Sequence, residues 1–511
     1  MKKDNFFITT PIYYPSGSPH IGHAYSSIFA DVIARFKRND NCNVFFLTGT
    51  DEHGLKIQKA AEKNNLKPKE FCDKISKVFF DLAIKLNLSN DDFIRTTEQR
   101  HHNAVNELWN RLVNSGDIYL SKYKGWYSVS DEAYYQPNEI FENNGKKYST
   151  FSKSPVEWVE EESYFFKLSS WQDKLLDFYE QNKKFILPSS RRNEVVNFVK
   201  AGLKDLSISR TSFSWGINVP NNKKHVIYVW LDALTNYLSA INFPNEKDKL
   251  FNTFWPASLH VIGKDILRFH SIYWPAFLLA AKIKPPIRIF SHGWILSGDE
   301  KMSKSKGNIL NPVEIIDKYG IDQLRYYLMK EVSHGSDGNI SLNNLENCIN
   351  SDLANNYGNL CQRIFSFIKA NCSNVVKKNK QQSDEDKKLV DLTNIEIKNL
   401  REDINNLNLN TYIKKTVNIS FMTNKYINDE QPWKVKKTDI QKMNNILHLS
   451  LEQIAKISLL LNPIIPQATT KVLKALNLNI KSLELSFLDG KEILNKEAKI
   501  NDLEILFKKI I

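Results

Sequence analysis

FFITTPIYYPSGSPHIGHAYSSIFADVIARFKRNDNCNVFFLTGTDEHG, Phe6 to Gly54, is the stretch that decides the fold. FFITT (Phe6–Thr10) is a short β-prone run that stops at a Pro/Gly turn. From about His20 the period changes. Ile21, Ile28, Phe29, Val32 and Phe36 follow helical spacing, with charges at Asp31, Arg35 and Lys37. NVFFL (Asn43–Leu47) reads as a second buried strand; it ends in TGTDEHG, and a helical pattern follows. Strand, helix, strand, helix predicts a parallel sheet with crossover helices. In such sheets ligands bind beyond the carboxyl ends of the strands, and PSGSPHIGH and TGTDEHG both fall at such ends.

Outward from this unit the alternation breaks near Ser115. From there to about His225 the chain is rich in Tyr, Trp, Glu and Lys, with turns at QPNE and ENNGKK, and reads as an insertion with its own short elements. Strand signals resume at HVIYVWLDA (His225–Ala233), SLHVIGKD (Ser258–Asp265) and IRIFSHGWIL (Ile287–Leu296). From about Leu345 to Asn462 nearly everything reads as helix, with a stripe at Leu353, Tyr357, Leu360, Ile364 and Phe367. KKNKQQSDEDKK reads as a solvated connection between two of those helices, and no internal repeat is present.

At 511 residues, 42% of them hydrophobic, the chain predicts two to four domains, each able to bury a core. A net charge of +13 favours a polyanionic partner such as nucleic acid, although Lys and Asn are abundant throughout. Cys42, Cys72, Cys348, Cys361 and Cys372 form no Cys-x-x-Cys pair; an odd, scattered set predicts a reducing compartment. The N-terminus lacks an apolar signal region and enters a strand directly. No uncharged apolar run approaches the roughly 20 residues of a membrane span, so a soluble cytoplasmic protein is expected.

His20 and His23 share one face of the first helical turn. That position suits phosphate, because helix N-termini carry partial positive charge and unpaired N–H groups. Zinc is disfavoured, since no third ligand stands at a recognisable spacing. Gly22 leaves a side-chain-free surface for a flat base. GDEKMSKSKGN (Gly298–Asn308) sets Lys301, Lys304 and Lys306, with Lys318 further on, in or beside a glycine-bounded loop able to fold over a polyphosphate. Taken singly, the first motif is a polar helix start and the second a solvated basic loop.

Together, PHIGH on the first strand–helix turn and KMSKS after the last strand resemble the class I aminoacyl-tRNA synthetases, whose two signature motifs stand here letter for letter. TTPIYYPSGSPHIGHAY, TGTDEHG, YVWLDALTNY, HVIGKDILRFHSIYWPA, SHGWIL and DEQPW resemble the methionyl-tRNA synthetase family. The resemblance runs over essentially the whole chain. It implies an α/β Rossmann-type parallel-sheet catalytic domain in two halves (1–115 and 226–290) with an inserted connective domain (116–225). A KMSKS loop and junction region (291–344) and an all-α helical-bundle anticodon-binding domain (345–511) follow.

The resemblance further implies a methionine–tRNA ligase. Methionine is activated with ATP to methionyl-adenylate, and the methionyl group passes to the 3′ end of tRNA(Met). His20, His23, Lys301 and Lys304 fall on the catalytic positions; Gly22, Gly263, Asp265, Met302, Ser303 and Ser305 complete the ATP site. Asp265 falls on the ribose ligand and the two lysines on the pyrophosphate clamp, with Mg2+ brought by ATP. The methionine pocket falls on Ile12, Tyr14, Asp51, Trp230, Ala233, Leu234, Tyr237, Ile266 and His270. Aromatic walls suit a polarisable thioether, and Asp51 at a strand's carboxyl end can hold the ammonium group. Anticodon contacts fall on Asn359, Arg363 and Trp433; periodicity alone leaves Trp433 equally readable as a core residue.

The sequence departs from the family in one respect. Many members carry zinc knuckles with Cys-x-x-Cys pairs in the insertion, whereas here no cysteine stands between Cys72 and Cys348. No structural zinc is expected, and a Tyr/Trp/Phe core must hold the insertion. The family's optional dimerisation module is also missing after EILFKKII, so a monomer is expected. The leucine, isoleucine and valine enzymes need a far larger editing insertion, and the cysteine enzyme selects its substrate with zinc ligands absent here. A tRNA-binding paralogue without catalysis sits poorly with two intact motifs. A small nucleotidyltransferase needs no helical domain of this length.

Overall fold

The computed structural model describes residues 3–15, 17–297, 300–301, 310–332, 334–379, 382–479 and 485–510. They fall into two compact units, one of Asn5–Ala30 and Val44–His292, the other of the described parts of 1–4, 31–43 and 293–511.

The first unit is built on a six-stranded sheet. Its strands β1 (Asn5–Thr9), β2 (Asn43–Thr50) and β3 (Asp92–Arg95) are joined by helices α1 (Ile21–Asn39), α2 (Leu55–Lys63) and α3 (Pro68–Lys85). The order is β3-β2-β1, then Leu259–Gly263, Ile289–His292 and Ile186–Leu187. β1 pairs parallel with Leu259–Gly263, Ile8 opposite Leu259. Phe6, Phe7 and Ile8 are buried in sequence, as a strand covered on both faces requires. The strand order reverses at β1, so the crevice beyond the carboxyl ends of β1 and Leu259–Gly263 is the expected ligand site.

Two features of this unit differ from expectation. HVIYVWLDA is a strand only to Ile227, and that strand belongs to a separate three-stranded antiparallel sheet. Val229–Leu234 is a helix that buries Asp232 against two histidines, a tertiary reward that no propensity encodes. The segment 116–225 is also not wholly separate. Ile186–Leu187 forms the sixth strand of the parallel sheet, a two-residue element too short to leave a periodic signal. The rest of that segment is led by the antiparallel pair Ile118–Ser128 and Glu157–Phe166, and its core is aromatic. Tyr123, Tyr127 and Tyr134 pack on one another, and the buried Arg210 guanidinium lies 4.0 Å from the Tyr127 ring centre while pairing with Glu161.

The second unit is mainly helical. Helix Ile440–Leu461 is buried from Ile446 to its end and packs against Leu409–Glu430. Tyr357 bonds Ser458 at 2.7 Å, while Phe367, from the expected stripe, stays partly exposed. KKNKQQSDEDKK is not all connection: Ser383 and Asp386 form a capping box that starts helix Asp384–Ile397. Arg325 is fully buried, with its guanidinium satisfied by Asp31 at 2.6 Å and the carbonyls of Pro463 and Ile464 at 2.8 Å. Among the described residues no helix is long and apolar enough to cross a membrane.

Candidate active site

α1 starts at Ile21, and the His20 carbonyl accepts its first bonds, from His23 N–H at 3.0 Å and Ala24 N–H at 3.3 Å. Two backbone donors at this helix start are taken by imidazoles. Gly22 N–H donates to His20 Nδ1 at 3.1 Å, and His20 N–H donates to His23 Nδ1 at 3.0 Å. A ring that accepts at Nδ1 is neutral and carries its proton on Nε2. Both rings therefore present an Nε2–H. Burial, then the neighbouring His20, holds His23 well below the usual histidine range. The rings lie 3.8 Å apart, and Tyr13 and Phe79 meet His23 edge-on. A Cβ on Gly22 would sit 3.0 Å from the His20 ring, so the glycine makes room for that imidazole first. Paired neutral donors at a helix N-terminus are suited to phosphate oxygens.

Deeper in the crevice the expected methionine residues come together. Leu234 and Tyr237 belong to one apolar cluster, with Ile12, Tyr14, Trp230 and Ile266 packed on it. Ala233 and His270 are buried in the same turns. Trp230 stacks on Phe269 at 3.7 Å, and its Nε1 has no hydrogen-bond partner among the described residues. His270 Nδ1 faces the Ile266 carbonyl at 3.0 Å and must donate to it. Nε2 then accepts from the Tyr237 hydroxyl at 2.8 Å. Burial lowers His270 to about 4, against a smaller upward pull from the Ile266 carbonyl. A folded pKa below the unfolded one makes the neutral form stabilising. The contribution is complete above about pH 6.5 and is lost as pH falls towards 4. Between pH 7 and 4 the stability advantage of the wild type over His270→Phe should shrink by as much as about 3 kcal/mol. Urea titrations at each pH check this, and a constant difference would refute it.

Asp51 is 4% exposed, and its Oδ1 has no partner among the described residues. Burial, with Asp232 and Glu132 nearby, pushes its carboxyl well above the usual range. A bound ammonium group is what such a carboxylate calls for. Its neighbours are pinned. Asp232 accepts from His53 Nδ1 and His101 Nε2, both at 2.7 Å; burial raises it, but the two imidazoles outweigh burial and hold it low. Glu52 is gripped by Arg95 and Thr97, and its carbonyl accepts from Trp215 Nε1 at 2.6 Å. At the end of Leu259–Gly263, Asp265 is exposed, and a Cβ on Gly263 would lie 2.6 Å from its Oδ1.

Periodicity gave no reason to bury His53, His101, Glu132 or Asp232. The available sign was charge inside apolar or strand-ending runs, DEH and WLDAL.

Lys301 lies in Glu300–Lys301, whose backbone pairs antiparallel with Ile295–Ser297. Met302, Ser303, Lys304 and Ser305 lie outside the described residues. In the second unit, Asn359 is exposed at the start of helix Asn359–Asn371. Arg363 on the same helix donates to Asn428 at 2.8 Å, with its guanidinium 5.6 Å from the Trp433 ring centre. Trp433 is 37% exposed, which disfavours the core reading for it. Among the described residues no group of three or more His, Cys, Asp or Glu is arranged to hold a metal ion.

Residues 6–365 match the family model "tRNA synthetases class I (M)", and 376–511 match "Anticodon binding domain of methionyl tRNA ligase". The methionine–tRNA ligase of Rickettsia typhi is 48% identical over 513 residues, covering 99% of this chain and 100% of the relative. That of Brucella suis biovar 1 is 47% identical, covering 93% of this chain and 92% of the relative. Among solved structures, Mycobacterium tuberculosis methionyl-tRNA synthetase in complex with methionyl-adenylate superposes with a TM-score of 0.95 at 41% identity, covering 99% of both chains. The apo form of that enzyme gives 0.89 at 38% identity, covering 100% of this chain and 99% of that one.

Proposed function

The chain belongs to the methionyl-tRNA synthetase family, and from that membership we propose how its residues share the reaction. It ligates methionine to tRNA with consumption of ATP. The methionine carboxylate attacks the α-phosphate of ATP, the bond to the bridging oxygen breaks, and pyrophosphate leaves. The terminal adenosine hydroxyl of tRNA(Met) then takes the acyl group, releasing AMP, and the product serves initiation and elongation. The carboxylate is already a nucleophile at neutral pH, so positioning and charge stabilisation matter more than a general base.

His20 and His23 donate from Nε2 to phosphate oxygens whose charge shifts as the bond breaks. Lys301 and Lys304 clamp the pyrophosphate, with Met302, Ser303 and Ser305 shaping that loop. Gly22 and Gly263 keep the approach open, and Asp265 holds the ribose. Asp51 takes the substrate ammonium; Ile12, Tyr14, Trp230, Ala233, Leu234 and Ile266 enclose the side chain, with Tyr237 and His270 at its polar end. Mg2+ arrives on the phosphates of ATP, as that ion commonly binds through substrate phosphates. Asn359, Arg363 and Trp433 read the anticodon. The proposed division is catalytic halves 1–115 and 226–290, an insertion 116–225 that lends Ile186–Leu187 to the catalytic sheet, junction 291–344 and anticodon domain 345–511, in a cytoplasmic monomer.

The observation that carries the assignment of roles is the neutral imidazole pair at the start of α1. ATP–pyrophosphate exchange with each amino acid in turn should respond to methionine alone; equal exchange with another amino acid would overturn the pocket assignment. The cysteine-free insertion predicts that activity survives a chelator when Mg2+ is restored and that elemental analysis finds well under one zinc per chain. About one zinc per chain, with activity lost on its removal, would contradict this.

A further inference from the structure

We propose that Glu132, carried by the insertion, is a positioning residue for the methionine pocket, acting through the phenol of Tyr14 and the start of α2. The proposal rests on the pocket assignment above. Glu132 lies in the turn between the strands Ile118–Ser128 and Ala133–Tyr135 of the insertion, yet it is 2% exposed and its backbone is left-handed at φ 49°. A non-glycine residue holds that conformation only where its surroundings demand it.

Two donors are committed to its carboxylate, and a third hydroxyl stands beside it. Lys56 N–H donates to Oε1 at 2.9 Å, the Tyr14 hydroxyl stands 3.3 Å from the same oxygen, and the Tyr127 hydroxyl donates to Oε2. The single Tyr14 hydroxyl proton goes to the His53 carbonyl at 2.6 Å, which fixes the phenol between the loop holding Asp51 and the insertion. The main chain completes the clamp: the Tyr228 hydroxyl donates to the Glu132 carbonyl at 2.7 Å, and Tyr228 caps the helix that presents Trp230, Ala233 and Leu234. Close packing at this junction is visible at Gly54, where a Cβ would lie 2.5 Å from the Tyr14 hydroxyl and 3.0 Å from Glu132 Oε1. Glu132 thus joins the β1–α1 loop, the start of α2 and the Trp230 helix, three segments that frame the methionine residues. Among the described residues, none of these contacts is to a residue assigned to ATP.

The test uses the full chain and measures methionine and ATP constants by pyrophosphate exchange, with melting curves. Glu132→Ala should raise the methionine KM by up to about 10²-fold, the scale of an ångström-sized misplacement, with the ATP KM within about twofold. Glu132→Gln keeps the volume and one acceptor and should recover part of the loss. If Glu132 acts through Tyr14, Glu132→Gln in a Tyr14→Phe background should add less than about twofold. Unchanged methionine constants in Glu132→Gln and Glu132→Ala would overturn the proposal. So would equal rises for methionine and ATP, or full additivity with Tyr14→Phe. A wild type that activates no methionine would instead overturn the pocket assignment itself.

Discussion

His20→Ala and His23→Ala should each slow methionyl-adenylate formation by about 10²–10³, with the methionine dissociation constant within a fewfold of wild type. The reason is the direction in which the rings point. Both Nδ1 atoms are occupied by backbone N–H groups at the start of α1, so both Nε2–H groups are committed as donors. Donors fixed before the reaction cost no reorganisation when phosphate charge shifts, and that is the condition under which one lost contact costs 2.7–4 kcal/mol, about the range quoted. The proposed methionine pocket lies elsewhere, among Tyr14, Trp230, Tyr237 and His270. Rapid-quench single turnovers at saturating ATP measure the first quantity, and equilibrium titration with methionine the second. Lys301→Ala belongs in the same set as a test of the second motif. Each imidazole also satisfies a backbone donor, so a melting curve must accompany each rate. A normal single-turnover rate in a folded variant, with only the methionine constant raised, would refute the phosphate role.

Trp433→Ala should leave methionine-dependent pyrophosphate exchange near normal while lowering charging of full-length tRNA by about 5- to 150-fold. A base stacked on an indole contributes roughly 1–3 kcal/mol. The side chain is 37% exposed, and the Arg363 guanidinium 5.6 Å from its ring centre adds a cation beside the stacking face. Removing an exposed ring leaves no cavity, so the midpoint of melting should move little, in contrast to the 3–5 kcal/mol lost when a buried Trp is truncated. The defect should largely vanish with a minihelix lacking the anticodon, which the wild type should itself charge poorly. Normal charging of full-length tRNA by the folded variant would remove Trp433 from the anticodon site. Loss of exchange and charging together, with a fall in stability, would return it to a packing role.

What the sequence by itself determined was the part written in short-range pattern. FFITT, the 3.6-residue period after His20 and NVFFL define a parallel α/β unit, because strand and helix periods differ and neither depends on distant residues. The two histidines fall at a strand end for the same reason. Tertiary structure decided the rest. Val229–Leu234 is a helix although its sequence continues a β-prone run, because Asp232 gains two buried histidine partners there. The tautomers of His20, His23 and His270 follow from carbonyls and N–H groups placed by the fold. Trp433 is exposed where periodicity left exposed and buried equally open. Glu132 lies 78 residues beyond Gly54 in the chain, and only folding brings its carboxylate to Tyr14 and Lys56. A buried charge leaves no mark on local hydrophobic period; its meaning lies in partners that are remote in sequence and near in space.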